Sequence, residues 1–361
     1  MAIRNLKLAL LNQSRDDPNL ISQNDRYSRQ ILFDGIGRDG QTRLLDSRVL
    51  IVGCGALGSA QVEALARAGA GNLRLVDRDF VEPSNLQRQT MFTESDAAER
   101  LPKAIACATH VREINSSVIV EPEIVDVNHS NIERLIRDCD VVLDGTDNFA
   151  TRFLINDACV KHNVVWIYGA AVGSYGVSMT IRPNEGPCLR CVFAEAPPAA
   201  SAPTCDTSGV IMPIISIVAA VQVSEALKVL TGKTESLHNS LMQFDVWRNE
   251  WRRISVGAPN PDCSTCGRHQ FDTLAADSRD FAAVLCGRHA VQVLPAQPAQ
   301  VDLKALSLKL KLVGEVKGND YLLRFRTGAY ELTVFQDARS IIRGTDDIAT
   351  ARSLYAKYIG N

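Results

Sequence analysis

The sequence has almost no excess of charge of either sign. Its 39 lysines and arginines stand against 41 aspartates and glutamates, which leaves a formal net charge of -2. A near-neutral chain offers no bulk attraction to a polyanion, so the composition argues against a nucleic-acid partner. Histidines are also few, six in all, and none has the spacing of a metal-ligand pair. We therefore assign no site to histidine.

Long hydrophobic runs are absent as well. The longest apolar stretch, 210–221, is interrupted by Pro213 and Ser216 and is shorter than the roughly 18 to 20 residues of a membrane span. Residues 1–24 carry several charged side chains, and no small-residue cleavage site follows them. We therefore expect a buried helix at 210–221, no membrane partner and a cytoplasmic protein.

What the chain does contain is enough apolar side chain, 46% of its residues, to bury a sizeable core. Residues 48–79 begin with an apolar strand, continue through a glycine-rich turn and an amphipathic helix, and end in a second strand. The turn carries Gly53, Gly55 and Gly58 in a G-x-G-x-x-G pattern, and Asp77 ends the second strand. This βαβ context indicates a nucleotide-phosphate site at the start of the helix.

Strand and helix patterns alternate beyond this unit. Strands are expected at 118–125, 141–143 and 164–170, and helices at 131–139 and 149–162. This order predicts an α/β fold with a Rossmann-like, mostly parallel sheet covered by helices on both faces, and ligands at the carboxyl ends of its strands.

The pattern lapses over 183–208, which we interpret as a long crossover loop. A helix is expected at 213–230, and closing strands over 241–254.

After residue 267 the pattern changes to a small α+β domain with a βαββα-like order. Three arginines, Arg324, Arg326 and Arg339, lie among its apolar residues, and we expect them on a solvated outer face or facing an acidic partner. The predicted organisation is an N-terminal extension (1–25), a nucleotide-binding unit (26–267) and a C-terminal domain (270–361) that serves recognition.

Polar residues follow the predicted strands and helices around the glycine-rich turn. Asn85, Arg88, Lys103 and Asp147 together offer two cations, one amide and one carboxylate to a polyphosphate. Cations that hold phosphate oxygens and an acid that holds Mg²⁺ are what phosphoryl chemistry requires. The set favours a nucleoside triphosphate. The alternative, an NAD-dependent oxidoreductase, is supported only by the glycine-rich turn and Asp77.

Four of the ten cysteines form two C-x-x-C pairs, Cys188 with Cys191 and Cys263 with Cys266. Two such pairs in a reducing compartment predict a closed tetrahedral zinc site with a structural role, since a catalytic zinc keeps one position open. The alternative is two unrelated turns with free thiols.

Nine motifs together resemble the MoeB/ThiF family, bacterial relatives of ubiquitin-activating enzymes. In order they are RYSRQILFDGIG, GCGALG, LVDRD, SNLQRQ, PKA, LDGTDN, PCLRC, TCDTSGVIMP and CSTCG, and they cover 26–267. The resemblance implies an ATP- and Mg²⁺-dependent adenylyltransferase. Such an enzyme activates the C-terminal glycine of a small ubiquitin-fold sulfur carrier ending in Gly-Gly, and it works as a homodimer.

The resemblance also implies roles for individual residues. Asp77 and Asp79 would face the ribose, Asp147 would hold Mg²⁺, and Arg29 would reach the ATP site of the partner subunit. The nucleotide contacts implied in full are Gly53, Gly55, Gly58, Asp77, Asp79, Asn85, Arg88, Gln89, Lys103, Asp147 and Asn148.

Cys205, unpaired in the crossover loop, is a candidate for accepting the activated carrier, and Cys286 is a second candidate thiol. In some members of the family a cysteine at the position of Cys205 has this role. The acceptor pathway stays open: sulfur delivery for molybdopterin, thiamine or related products, with a separate sulfur donor, or conjugation of a ubiquitin-like protein to a target.

Overall fold

The computed structural model describes residues 23–195, 208–275, 282–285, 289–295 and 299–360. Its strands form two sheets, one of eight strands and one of six. The two candidate thiols, Cys205 and Cys286, lie outside the described residues.

The first sheet has the order β3-β2-β1-β4-β5-β6-β7-β8. Strands β1 to β5 pair in parallel, and β5 to β8 are antiparallel. The strands are β1 (Arg48–Val52), β2 (Asn72–Val76), β3 (Ile119–Glu123), β4 (Val141–Asp144), β5 (Val165–Val172), β6 (Tyr175–Ile181), β7 (Leu241–Asp245) and β8 (Glu250–Ile254). The mostly parallel sheet is confirmed. Strand β6, which runs back along β5, is an addition to the predicted set.

Helices cover both faces of this sheet, so successive side chains of its central strands are buried on opposite sides. Val49 and Ile51 of β1 pack into one apolar cluster, and Leu50 and Val52 pack into the other. The helices are α1 (Gln23–Arg26), α2 (Ser28–Ile31), α3 (Gly37–Asp46), α4 (Ala56–Ala68), α5 (Glu94–Glu99), α6 (Lys103–Ile114), α7 (Ile132–Ile136), α8 (Phe149–His162), α9 (Leu189–Val192), α10 (Met212–Thr231) and α11 (Asp272–Ala275).

Helix α10 is the buried helix that the sequence predicts. It packs against α4, β5 and β6, and Ile214, Val218 and Val223 are among its buried side chains. Within the described residues it is also the one helix with the length and hydropathy of a membrane span, and 56% of that apolar window is buried inside the protein. Gly232, in the left-handed conformation at φ 77°, ends the helix.

The second sheet has the order β11-β12-β13-β14-β10-β9, and all its pairings are antiparallel. Its elements are β9 (Ala282–Leu285), β10 (Ala290–Val293), α12 (Leu303–Leu310), β11 (Glu315–Gly318), β12 (Leu322–Thr327), β13 (Tyr330–Phe335), β14 (Ser340–Arg343) and α13 (Ile348–Tyr358). A small α+β unit is confirmed. The βαββα order was wrong, because the sheet has three further strands, β9, β11 and β14, which are defined by their pairing with β10, β12 and β13.

One residue of this unit, Arg339, is not where the sequence predicts it to be. Arg339 was expected on an outer face, but it is 0% exposed. The backbone turns just before β14, and this turn directs the Arg339 side chain towards the first sheet, where Nη2 donates to the backbone oxygen of Arg78 at 2.7 Å. The position follows from packing between the two sheets, which sequence spacing does not encode.

Candidate nucleotide and metal sites

The glycine-rich turn between β1 and α4 is shaped by close backbone contacts. Gly53 has a φ of 88°, in the left-handed region that favours glycine. A Cβ on Gly58 would lie 1.8 Å from the Gly53 oxygen, and one on Gly145, after β4, would lie 2.2 Å from the same oxygen. Gly145 was not singled out in the sequence. These glycines are therefore required by the fold of the turn itself.

Gly55 differs from its neighbours because nothing in the protein crowds it. A Cβ there would meet only Nε2 of Gln89, at 4.0 Å. The Gln89 side chain is buried, and its Oε1 has no hydrogen-bond partner among the described residues. Helix α4 starts directly after Gly55, so its N-terminal amides face the same space. An open glycine, an unpartnered amide oxygen and a helix N-terminus fit a phosphate-bearing ligand.

Asp77 holds the turn in place. Its Oδ2 accepts the backbone N–H of Cys54, and its Oδ1 accepts the backbone N–H of Asp79, both at 2.7 Å. Burial raises the pKa of Asp77, and the charge of Lys103 partly opposes that shift. Each carboxylate oxygen still has a free lone-pair direction for a ligand hydroxyl. Asp77 therefore organises the glycine-rich turn and can also face a ribose.

Asp79 and Lys103 lie together beside this turn. Nζ of Lys103 is 3.4 Å from Oδ2 of Asp79, and the Lys103 backbone N–H donates to the Asp79 oxygen at 2.9 Å. Lys103 is 5% exposed although it carries a charge. A cation kept this far from water interacts strongly with charges inside the site. The structure thus brings Asp77, Asp79, Lys103 and the glycine-rich turn into one cluster.

Asn85 and Arg88 lie on the segment that follows β2. Asn85 is buried in a short 3-10 turn, Pro83–Asn85, and its Oδ1 accepts the Glu82 N–H at 3.0 Å. Arg88 is half-buried, and its Nη1 donates to the Ser84 oxygen at 2.8 Å. The Asn85 amide is thus held in one orientation, and four of the five Arg88 N–H groups are not used by this bond.

Asp147 and Asn148 follow β4 at the carboxyl edge of the sheet. Asp147 is exposed, and Asn148 caps α8 by accepting the Thr151 N–H at 2.8 Å. Burial lowers the pKa of Arg78, but nearby carboxylates, Asp126 first and Asp147 among them, raise it on balance. The Asp147 carboxylate therefore acts on the charge of Arg78, the residue between Asp77 and Asp79.

A buried ion pair beneath Asp147 was missed in the sequence. Nε of Arg152 pairs with Oδ2 of Asp144 at 3.0 Å, and Nη2 of Arg152 donates to the Thr146 oxygen at 2.6 Å. Asp144 is 0% exposed and Arg152 is 5% exposed. The pair fixes the backbone that presents Asp147. A useful signal was available: an aspartate inside an apolar strand followed eight residues later by an arginine in an apolar helix.

The four cysteines of the two C-x-x-C pairs converge. Their sulfur atoms lie within 4.8 Å of one another, with Sγ of Cys188 3.6 Å from Cys263 and Sγ of Cys191 3.3 Å from Cys266. Tetrahedral zinc with Zn–S bonds of about 2.3 Å places its sulfurs roughly 3.8 Å apart. The donor set and spacing fit a closed four-thiolate zinc site.

Asp157 of α8 connects the two halves of the cysteine cluster and was also missed. Its Oδ1 accepts the Thr265 hydroxyl at 2.7 Å and lies 3.4 Å from Nε of Arg190, while Oδ2 accepts the Thr273 hydroxyl at 2.8 Å. Asp157 is 0% exposed. The signal was two consecutive polar residues, Asn156 and Asp157, in the apolar middle of helix α8.

Arg29 lies apart from these clusters. It is exposed on α2, and the neighbouring Leu32 and Phe33 are 70% and 66% exposed.

Comparison with known proteins identifies the family. The model described as "ThiF family" matches residues 27–265. The chain belongs to the ThiF family. It is 45% identical over 337 residues to the sulfur carrier protein ThiS adenylyltransferase of Bacillus subtilis, covering 93% of this chain and 99% of that one. It is 40% identical over 253 residues to the SAMP-activating enzyme E1 of Haloferax volcanii, covering 70% and 92%.

The adenylyltransferase and sulfurtransferase MOCS3 of Sus scrofa is 38% identical over 265 residues, which are 73% of this chain and 57% of MOCS3. Among solved structures, Escherichia coli MccB aligns with a TM-score of 0.61 and 22% identity over 69% of this chain and 74% of MccB. The PaaA structure aligns with a TM-score of 0.55 and 20% identity over 71% and 82%. These two likenesses show that the ThiF-family chain has their fold.

Proposed function

We propose that this ThiF-family protein is an ATP-dependent adenylyltransferase that activates the C-terminal glycine of a ubiquitin-like sulfur carrier. The products are a carrier acyl-adenylate and pyrophosphate. The observation that carries the proposal is the cluster of Lys103, Asp79 and Asp77 against an open glycine-rich turn, in a chain 45% identical to an adenylyltransferase over nearly its whole length. The three relatives named above are called adenylyltransferases or an activating enzyme, so they do not support the NAD-dependent alternative.

The reaction brings two anions together, because a carboxylate attacks the α-phosphorus of a polyphosphate. Lys103 and Arg88 offset that charge from the protein, and Arg29 does so from the partner subunit. Asp147 would hold Mg²⁺, which would neutralise further negative charge of the ATP when bound. The attacking carboxylate is already ionised near neutral pH, so no side chain has to act as a strong base.

A homodimer is part of the proposal. Exposed apolar side chains at Leu32 and Phe33, next to Arg29, support an interface between two copies at this place. Such an interface would direct Arg29 into the partner's site. A cytoplasmic location is also proposed, and it is supported by the absence of disulfides among the eight cysteines of the described residues.

The carrier is proposed to be of the ThiS type. The alignment with the ThiS adenylyltransferase extends over 337 residues, and those with the SAMP-activating enzyme and MOCS3 extend over 253 and 265. The longer alignment includes most of the second sheet. Activation for protein conjugation is the second candidate, because one relative is named a SAMP-activating enzyme E1. A separate sulfur donor and a recognition role for 270–361 remain parts of the proposal.

Carrier-dependent exchange of labelled pyrophosphate into ATP tests the proposal. Wild-type protein should support exchange with a ThiS-type carrier and should lose it when the carrier lacks its terminal Gly-Gly. Asp147→Ala and Arg88→Ala should each lower the exchange rate by a factor of about 10² to 10³, the usual cost of removing a group that stabilises transition-state charge.

Asp46 and Arg67 offer matched controls, since they are an exposed carboxylate and an exposed guanidinium away from the cluster. Asp46→Ala and Arg67→Ala should exchange at the wild-type rate. Folded Asp147→Ala protein with normal exchange would contradict the assignment of the site.

A further inference from the structure

The second sheet packs directly against the segment that carries Asp79. Phe80 lies in an apolar cluster with Ala290, Leu322, Phe335 and Ile341 of the second unit. Polar contacts surround that cluster: Nη2 of Arg343 pairs with Oε1 of Glu82, and Nε2 of Gln292 donates to Oδ2 of Asp126 at 2.7 Å. The segment from Arg78 to Glu82 is therefore packed against the second sheet.

Arg339 makes the contact nearest to the nucleotide cluster. Its Nη2 donates to the backbone oxygen of Arg78, the residue between Asp77 and Asp79. Its guanidinium carbon is 3.7 Å from the centroid of the Phe335 ring, and the side chain is 0% exposed. Nε and Nη1 have no hydrogen-bond partner among the described residues, and Asp337 lies at 3.7 Å from Nε.

Fold stability alone does not account for this arginine. The buried guanidinium has one hydrogen bond, one ion pair at 3.7 Å and two nitrogens without a hydrogen-bond partner in the described part of the chain, which is little compensation for its loss of solvation. An apolar side chain of the same length would keep the contact with Phe335, but it would leave the Arg78 oxygen and the Asp337 carboxylate without this donor. Besides the ion pair with Asp337, the guanidinium adds a fixed contact with the Arg78 carbonyl, between Asp77 and Asp79.

We propose that Arg339 and Arg343 of the second sheet are positioning residues for the nucleotide site. They hold the segment Arg78–Glu82 in place, and this keeps Asp79 against Lys103. The second sheet is then a structural part of ATP binding, in addition to any recognition role. This inference rests on the proposed function for its reaction, but its effect is on ATP affinity.

Two substitutions in the full-length protein test it. Arg339→Met keeps the aliphatic chain and removes the donors, and it should raise the KM and the dissociation constant for ATP about tenfold. Arg343→Ala breaks a half-exposed ion pair and should raise both about two- to fivefold. The turnover number and the KM for the carrier should change much less, since the lost interaction acts on ground-state binding.

The same variants carry a readout that a purely structural arginine would not produce. Arg339→Met should lower the melting temperature by no more than about 4 °C and keep its zinc, while it binds ATP about tenfold more weakly. Lys317→Ala is the matched control, because Lys317 is an exposed cation on β11 that pairs with Glu315 at 2.9 Å. It should leave ATP affinity unchanged.

ATP affinity within twofold of wild type in Arg339→Met would overturn the proposal. A loss of affinity in a variant whose melting temperature falls by much more than about 4 °C would also overturn it, because general destabilisation would then explain the loss. So would a loss of affinity that Lys317→Ala shares. If Arg339→Met does not fold, Arg343→Ala decides by the same criteria. Calorimetric ATP titration gives the answer whether or not any carrier supports exchange, so failure of the proposed function would be seen separately in wild-type protein.

Discussion

Replacing Gly55 by alanine should separate ligand binding from folding at the glycine-rich turn. The new methyl would approach only Nε2 of Gln89, at 4.0 Å, which is ordinary contact distance. The backbone there has a φ of −76°, which lies outside the left-handed region. We expect the free energy of unfolding to change by no more than about 1 kcal/mol. The methyl instead occupies the space through which a phosphate would reach the backbone amides.

The loss of ATP affinity follows from those amides. Each hydrogen bond from a backbone N–H to a charged phosphate oxygen contributes about 1.5 to 3 kcal/mol. Displacing the phosphate far enough to break one of them should weaken ATP binding by at least about tenfold, since 1.4 kcal/mol corresponds to a factor of ten.

Gly58→Ala is the matched comparison within the same turn. Its methyl would lie 1.8 Å from the Gly53 oxygen, so the backbone has to move and both stability and ATP binding should fall. Thermal denaturation and calorimetric ATP titration on the two variants give the four values needed. Wild-type ATP affinity in Gly55→Ala would refute the claim that a phosphate closely approaches Gly55. A large loss of stability in that variant would refute the claim that the space beside Gly55 is open.

Two further outcomes concern the cysteines. The purified protein should bind one zinc ion per chain, and Asp157→Ala, which leaves the Thr265 and Thr273 hydroxyls without their acceptor, should accelerate zinc release to a chelator and lower the melting temperature. Asp157→Asn should have a smaller effect, and normal zinc retention in Asp157→Ala would contradict the linking role. Cys205→Ala should retain pyrophosphate exchange but lose any thioester-linked or reductant-sensitive carrier adduct, because acyl-adenylate formation needs no thiol. Persistence of the adduct on gel analysis would direct attention to Cys286.

Several features were readable from the sequence because their determinants are local. Helix α8 was predicted with its exact bounds, Phe149–His162, since its apolar periodicity is bounded by Asn148 as N-cap and by Asn163 in the left-handed conformation. The family was also readable, because the motifs that identify it are short and ordered along the chain.

Other features depend on contacts between distant residues. The buried ion pair of Asp144 and Arg152 and the bridging role of Asp157 became visible only when helix α8 was placed against the sheet and the cysteine cluster. Strand β6 pairs with β5 in the antiparallel direction, and the apolar pattern does not predict the turn that reverses the chain between them. In each case the residue types are common ones, and their role depends on the partners that folding brings next to them.

The sequence by itself determined the nucleotide-binding βαβ unit and the four-cysteine set, because a glycine-rich turn and paired cysteines impose their geometry within a few residues. Only the tertiary structure decided that Gly55 is open while Gly58 is enclosed, and that Arg339 reaches the Arg78 carbonyl 261 residues away along the chain. The reason is physical. Burial and the pairing of charges depend on which surfaces meet after folding. The periodicity of one segment carries no information about which distant segment will pack against it.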